Sequence, residues 1–484
     1  MAKTRDTELS DRMSEHEALM WSVEKDPWLN PSGGSLILLD RPMDIDHFRR
    51  QLRHAVSKTP RLYQRVVPGF GRLSTPAWAP DPEFDIDAHI REIVLPKPGS
   101  DRQLFDLAAQ LYAEPLDRTR PLWRFVAISG LKGGRGAIWA IIHHAVSDGI
   151  GQMRMAEMYQ QLSRDEAPPE EVDLEGIIAA AAARSDAKES GGNMATSAAD
   201  TLRQSAEHVL RRQIGIGRRV AGEVAMWPAD PARVRDTVNT ALETVQSTTK
   251  MLRPRGEGSS GSPLWANRSR HRRLEYVTVP LDHLKTIGKA AGGSVNDVFM
   301  AALAEAASRY HIRHDAPVEW LNSSFVLSTR SDNKAGGNAF TPVPVQLPGA
   351  PMPILDRVGA TIKAVAVAKE EAQTTGGMTG LSGIINLLPT SVITQTAKST
   401  ARRIDFATSN LRGAPFELYT SGAKVLSTIA MGPVAGTGAN ITALSYNGSF
   451  DIGIFADPAA ITDTEGFRDD VEQSFADLLA AATT

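Results

Sequence analysis

The chain has 484 residues, of which 42% are hydrophobic and none is cysteine, with a formal net charge of −3 at pH 7. That is enough apolar material for sizeable cores in more than one lobe, and the near-neutral balance excludes a globally basic nucleic-acid binder. Without cysteine there is no disulfide framework, no thiolate nucleophile and no Cys-based metal site, and no metal of any other kind is expected.

The first residues, Met1 to Asp11, are polar and lack the apolar core of a secretory signal. No run approaches the ~18 uninterrupted apolar residues of a spanning helix. The expectation is a cytoplasmic protein that at most rests on a membrane.

Residues 1 to about 165 alternate short strand patterns with helical ones. The apolar run Ala137-Ile138-Trp139-Ala140-Ile141-Ile142 predicts a strand, and His143-His144-Ala145-Val146-Ser147-Asp148-Gly149 follows it directly. Side chains alternate faces along a strand, so the two histidines point to opposite sides and only one can face a given cleft. A neutral imidazole with a pKa near ~6.5 suits general-base work. The plainer alternative is a strand-end pair, one ring bonded to a carbonyl and the other solvated. Asp148 can accept a hydrogen bond from an imidazole or pair with a buried Arg to hold the loop. Gly149 lets the chain turn into a predicted helix, Ile150 to Ser163, where Met155, Met158, Tyr159 and Leu162 recur at helical spacing.

The composition then changes. Glu166 to Asn193 is rich in Pro, Ala, Glu and Asp, and the Gly/Ser tract Gly256 to Ser262 breaks the chain again. Between them Leu202, Val209, Leu210, Ile214, Val220 and Val224 form one side of a helical pattern, interspersed with Arg203, Arg211, Arg212, Arg218 and Arg219. Residues 201–273 hold 14 Lys and Arg against 6 Asp and Glu, a local balance of +8. Such a helix either lies on an anionic membrane surface or packs its stripe on the lobes and solvates its charges. Gly256-x-Gly258-x-x-Gly261 satisfies a dinucleotide-binding pattern, but no strand precedes it.

A second lobe begins with the alternating strand Leu274 to Val279. Ser294-x-x-Asp297 ahead of an apolar helical run reads as an N-cap pair. Arg330, closing Val326-Leu327-Ser328-Thr329-Arg330, either anchors a carboxylate across the lobes or caps a strand end. Ile441 to Tyr446, Asn447-Gly448 and Phe450 to Phe455 predict a hairpin with a type I′ turn. The last helix is predicted to start at the capping-box pattern Thr462-x-x-Glu465 and to bury Phe467, Val471, Phe475, Leu478 and Leu479. The division is therefore 1–165, a lobe ending in the histidine motif; 166–271, a helical, basic connection; and 272–484, a second lobe.

HHxxxDG as a unit resembles the signature of the acyltransferase superfamily that includes chloramphenicol acetyltransferase, the nonribosomal peptide condensation domains and the bacterial wax ester synthase/diacylglycerol acyltransferases. Further blocks resemble the last of these. Pro115-Leu116-Asp117-Arg118-Thr119-Arg120-Pro121-Leu122-Trp123 is similar to its PLDRxRPLW block, Ser294-Val295-Asn296-Asp297-Val298 to its ND motif, and Thr408-Ser409-Asn410-Leu411-Arg412-Gly413-Ala414-Pro415 to its T-N-x-x-G-P segment. The order and spacing match from about residue 9 to the C-terminus. Leu411-Arg412 and Ala414 depart from the usual Val-Pro and Pro around Gly413, and Trp265 to Arg273 lacks a glycine before its basic pair. These departures bear on acceptor preference more than on reaction class.

The resemblance implies an α/β (α+β) protein of two chloramphenicol-acetyltransferase-like lobes, each a mixed sheet with helices, joined by a long helical connection. It implies an O-acyltransferase that moves a long-chain acyl group from acyl-CoA to diacylglycerol or a fatty alcohol, with acyl-CoA as substrate and no cofactor. His144 becomes the general base, His143 a support, and Asp148 a loop-holding residue acting through a salt bridge. Asn296 and Asp297 lie near the active-site channel and support its architecture. Backbone amides near Gly149 or a polar group from Ser409-Asn410 are candidates for the oxyanion stabiliser. Peripheral attachment to membranes or lipid droplets is compatible with such substrates.

Two other readings compete: another HHxxxDG enzyme, polyketide-associated or of condensation type, and a non-catalytic lipid-binding or droplet-coating protein. The absence of a carrier-protein domain and the PLDRTRPLW block argue against the first, and the intact motif against the second. No G-x-S-x-G elbow, H-E-x-x-H or Walker lysine is present.

Overall fold

The computed structural model describes residues 12–68, 75–190, 261–328, 340–374 and 390–484. The basic helical pattern of Leu202 to Val224, the glycine pattern at Gly256 and Gly258, and Arg330 lie outside the described residues.

In chain order, the first half gives α1 (Glu15–Val23), β1 (Ser32–Leu39), α2 (Ile45–Lys58), β2 (Gln64–Val67), β3 (Ala77–Pro80), β4 (Ile90–Val94) and α3 (Asp101–Ala113). It continues with β5 (Trp123–Ser129), β6 (Gly136–His143), α4 (Gly149–Ala156) and α5 (Leu174–Ser190). The second half gives β7 (Arg273–Pro280), α6 (Leu281–Ala291), α7 (Val295–Arg313), β8 (Trp320–Ser328), β9 (Phe340–Pro348), α8 (Ile354–Thr374) and α9 (Thr390–Ala401). Then follow β10 (Phe406–Arg412), β11 (Tyr419–Thr420), β12 (Ala423–Met431), β13 (Ala439–Tyr446), β14 (Ser449–Ala456) and α10 (Thr464–Thr483).

The strands form two six-stranded sheets, ordered β11-β12-β1-β6-β5-β4 and β7-β14-β13-β10-β8-β9, with β2 and β3 paired apart. Both sheets are mixed: β4 and β5 are parallel in the first, and β10 is parallel to β13 and β8 in the second. β6 is buried along its whole length, which is why its sequence is an unbroken apolar run rather than an alternating one. Each sheet has its own hydrophobic core. The fold is therefore the two-lobed α/β arrangement expected.

The sheets do not follow the boundary drawn in the sequence at residue 272. β12 pairs antiparallel with β1, Gly34 opposite Met431 and Leu36 opposite Ile429, so the second half of the chain completes the first sheet. It also lies hard against the second: a side-chain carbon at Gly453 of β14 would come 2.4 Å from the Ala430 carbonyl oxygen, so only glycine fits.

Two local expectations are corrected. The helix after the histidine motif ends at Ala156, not Ser163, because Gln161 exchanges both backbone hydrogen bonds with Tyr419 at 2.8 Å. Tyr159, which shared the helical spacing, instead packs edge-on against Phe48 and Phe125. The last helix is capped by Asp463, whose carboxylate accepts the Gly466 amide at 2.9 Å, not by Thr462. A carboxylate at that position meets the positive end of the helix as well as an orphan N–H, which a hydroxyl one residue earlier does not. The hairpin has the turn expected, with Asn447 at φ 43° and Gly448 at φ 84°. Among the described residues no helix is long and apolar enough to cross a membrane.

Candidate active site

β6 delivers the histidine pair to one end of the first sheet, where His143 lies opposite Ser32, the first residue of β1. The strand then stops. The His144 amide donates to the Pro31 carbonyl at 3.0 Å, the Val146 amide turns back to the His143 carbonyl at 2.9 Å, and α4 begins at Gly149.

His143 is completely buried. Its Nδ1 accepts the Ala145 amide at 2.9 Å, so the ring proton belongs on Nε2, which stands 3.6 Å from Glu24 Oε2. Glu24 is gripped in turn by Arg118, the arginine of the PLDRTRPLW block. Arg118 also lies 3.3 Å from the centre of the Trp21 ring and donates to the Trp21 carbonyl at 3.0 Å. Burial pushes the Glu24 carboxyl up, but the neighbouring His143 ring and the Arg118 guanidinium prevail and hold it below the usual range.

His144 is also buried. Burial lowers its pKa to about 4; His143 and His16 push the same way and Asp148 opposes them. The ring is therefore neutral near pH 7, the form a general base requires. Its Nε2 looks toward β1: a side-chain carbon at Gly33 would lie 2.9 Å from that nitrogen and 3.2 Å from the Gln152 amide nitrogen. Gly33 thus keeps open the space in front of the imidazole. Gln152, one turn into α4, donates to the Ser147 carbonyl at 3.3 Å and ties the helix to the loop.

Asp148 is the N-cap of α4, and its buried carboxylate accepts the Gly151 amide at 2.8 Å. His16 of α1 completes the group: burial lowers its pKa and the Asp148 carboxylate opposes that. Gly149 meets the other lobe, since a side-chain carbon there would lie 3.2 Å from Leu411 Cδ2 of β10. The T-S-N-L segment therefore reaches the histidine loop through Leu411. Ser409 is half-buried and Asn410 exposed on the same strand, opposite Thr442 and Ala443 of β13.

The ND motif forms the cap anticipated for it. The Asp297 carboxylate accepts from the Ser294 amide at 2.8 Å and hydroxyl at 2.7 Å, and Ser294 Oγ accepts the Asp297 amide at 3.3 Å. Asn296 Nδ2 lies 3.4 Å from Met300 Sδ along α7. Sequence reasoning did not single out Glu24, His16, Gly33 or Gln152. Only Gly33-Gly34, an odd pair at a strand start, carried a readable sign of close approach.

The fold is that of several solved structures. The wax ester synthase/diacylglycerol acyltransferase of Marinobacter aquaeolei VT8 superposes with a TM-score of 0.64 at 20% identity, over 98% of this chain and 100% of that one. The first condensation domain of the calcium-dependent antibiotic synthetase, in complex with a substrate analogue, gives 0.55 at 16% identity, over 97% of each chain.

Sequence goes further. The family model for the wax ester synthase/diacylglycerol acyltransferase catalytic domain matches residues 13–299 and that for the C-terminal domain residues 336–479, so the chain belongs to this acyltransferase family. A Mycobacterium tuberculosis H37Rv protein named as a diacylglycerol O-acyltransferase is 28% identical over 478 residues, spanning 98% of this chain and 93% of its own length. A second from that strain, similarly named, is 29% identical over 447 residues, 90% of this chain and 89% of its own.

Proposed function

We propose that this acyltransferase moves a long-chain acyl group from acyl-CoA to the hydroxyl of diacylglycerol or a fatty alcohol, with His144 as general base. The observation that supports it most is a buried, neutral imidazole whose Nε2 faces space that Gly33 leaves free. In this reading Nε2 takes the acceptor hydroxyl proton as that oxygen attacks the thioester carbonyl carbon. The carbon–sulfur bond then breaks, and the imidazolium returns the proton to the departing thiolate, so CoA leaves as thiol. A chain with no cysteine offers no thiolate for an acyl-enzyme, and direct transfer needs none. No cofactor enters; acyl-CoA is a substrate.

Asp148 holds the loop in this scheme by fixing the start of α4, and His143 supports it from the other side of β6. A lipid acceptor also favours peripheral contact with a membrane or droplet, for which the basic segment 201–273 is the sequence candidate. Incubation of the purified protein with labelled palmitoyl-CoA and, in parallel, diacylglycerol, hexadecanol and a long-chain amine tests the reading. Labelled ester is the expected product; label appearing only in amide, or nowhere, overturns it.

A further inference from the structure

In the reading above the histidine site takes the reacting end of the donor, and among the described residues its arginine, Arg118, is already engaged by Glu24. Other cations stand beside α1 and the turn that follows it. A cleft of about 460 Å³ is lined by Gln395, Lys398, Ser399, Arg402 and Arg403 along one face of α9 and the turn after it. Its cations reach Trp28: Arg402 lies 5.4 Å and Lys398 5.9 Å from the ring centre. One carboxylate enters the group, Asp26, at 3.1 Å from Lys398. Lys398 and Arg402 have this single carboxylate between them, and among the described residues the exposed Arg402 is in no ion pair. Ser399 and Gln395 add neutral hydrogen-bonding groups.

The cleft is joined to the histidine site by two short stretches of backbone. Trp28 precedes Pro31, whose carbonyl accepts the His144 amide, by three residues, which is at most about 11 Å of chain. β10 starts three residues after Arg403 and reaches Leu411, beside Gly149, after about 17 Å of strand. Both paths are upper limits, and they keep the cleft within a few short segments of the histidine loop, so that a donor with an extended pantetheine arm is the ligand to test at Arg402.

We propose that this cleft receives the phosphorylated adenosine end of the acyl-CoA donor, Arg402 and Lys398 pairing with its phosphates. The proposal rests on the acyl-CoA reading above. Guanidinium–phosphate contacts are charge-assisted and geometrically specific, and one is enough to shift affinity about tenfold or more.

The test compares palmitoyl-CoA with palmitoyl-pantetheine, which keeps the thioester and lacks the nucleotide, and titrates adenosine 3′,5′-bisphosphate directly by calorimetry. Wild type should prefer palmitoyl-CoA in kcat/KM by about tenfold or more. Arg402→Glu should abolish that preference and weaken binding of the bisphosphate about tenfold or more, with Arg402→Lys falling between them. Equal use of both donors by wild type, or bisphosphate binding that ignores Arg402→Glu, overturns the cleft while the acyl-CoA reading stands. A wild type inactive with every acyl-CoA overturns that reading, and the calorimetry then still decides the cleft. Anionic vesicles bound through Arg402 without any binding of the bisphosphate would assign the cations to a lipid headgroup and also overturn the proposal.

Discussion

Glu24 and His143, 119 residues apart in sequence, face each other at 3.6 Å, carboxylate to Nε2. The Ala145 amide occupies the other ring nitrogen, so the carboxylate selects the tautomer and Arg118 holds the carboxylate. Glu24→Ala should therefore cost about 1–3 kcal/mol in denaturant unfolding, because it strips a mostly buried guanidinium of its partner. Glu24→Gln, which can still accept from both neighbours, should recover part of the loss. Unfolding midpoints for the two variants identical to wild type would show the cluster to be slack.

His144→Ala should lower turnover by roughly 10²-fold or more with palmitoyl-CoA binding retained, the share ordinarily carried by a general base. His143→Ala should lose stability more than chemistry. Equilibrium binding and single-turnover rates on folded protein separate the two effects. Near-normal turnover in His144→Ala would exclude it as the base.

The pH dependence follows from the direction of the His144 shift. Its folded value, about 4, lies below the ordinary 6.5, so between these values the unfolded chain binds more protons than the folded one. The stability contributed by neutral His144 is complete above pH 6.5 and is lost as pH falls toward 4. For catalysis, the acid limb of kcat/KM should lie well below pH 6.5, near 4. A midpoint at 6.5, measured where the protein remains folded, would mean that the base is solvated.

Gly33→Ala inserts a methyl 2.9 Å from the His144 nitrogen. The atoms it meets are ends of side chains, so the fold should tolerate it with a small change in melting temperature. Turnover should drop on the order of 10- to 10²-fold, since displacements of about 1 Å at a reacting group have that effect. Unchanged kcat and KM would place the acceptor on another side of the ring.

Asp148→Ala removes a helix cap and should destabilise by about 0.5–2 kcal/mol with loss of activity, whereas Asp148→Asn, an equally good cap, should restore most of the stability. Thermal melts of the pair, read beside their activities, distinguish a cap from a titrating acid.

What was legible in the sequence is local. The β6 strand, the histidine loop, the Asn447-Gly448 hairpin and the Ser294 cap each rest on neighbours within a few residues, where periodicity and turn chemistry operate. Resemblance supplied the long-range order of the blocks. What stayed hidden depends on pairs distant along the chain: Arg118 with Glu24, His16 beside Asp148, Gln161 with Tyr419 and β12 with β1. No residue type announces such a partner. The short α4 shows the cost of periodicity alone: Met158 and Leu162 fit the helical spacing yet are exposed, after backbone pairing with Tyr419 has drawn the chain out of the helix.

The strand shared between the lobes bears on how the protein is made. Because Ala423–Met431 fills the place beside β1, the sheet that carries the histidine pair is incomplete until residue 431 has left the ribosome. Until then Ser32–Leu39 presents a bare row of backbone donors and acceptors, an edge ready to pair with another nascent chain. Catalytic competence is in this sense a late event in synthesis, and a chain truncated anywhere between the histidine loop and β12 would carry both histidines on a sheet it cannot complete.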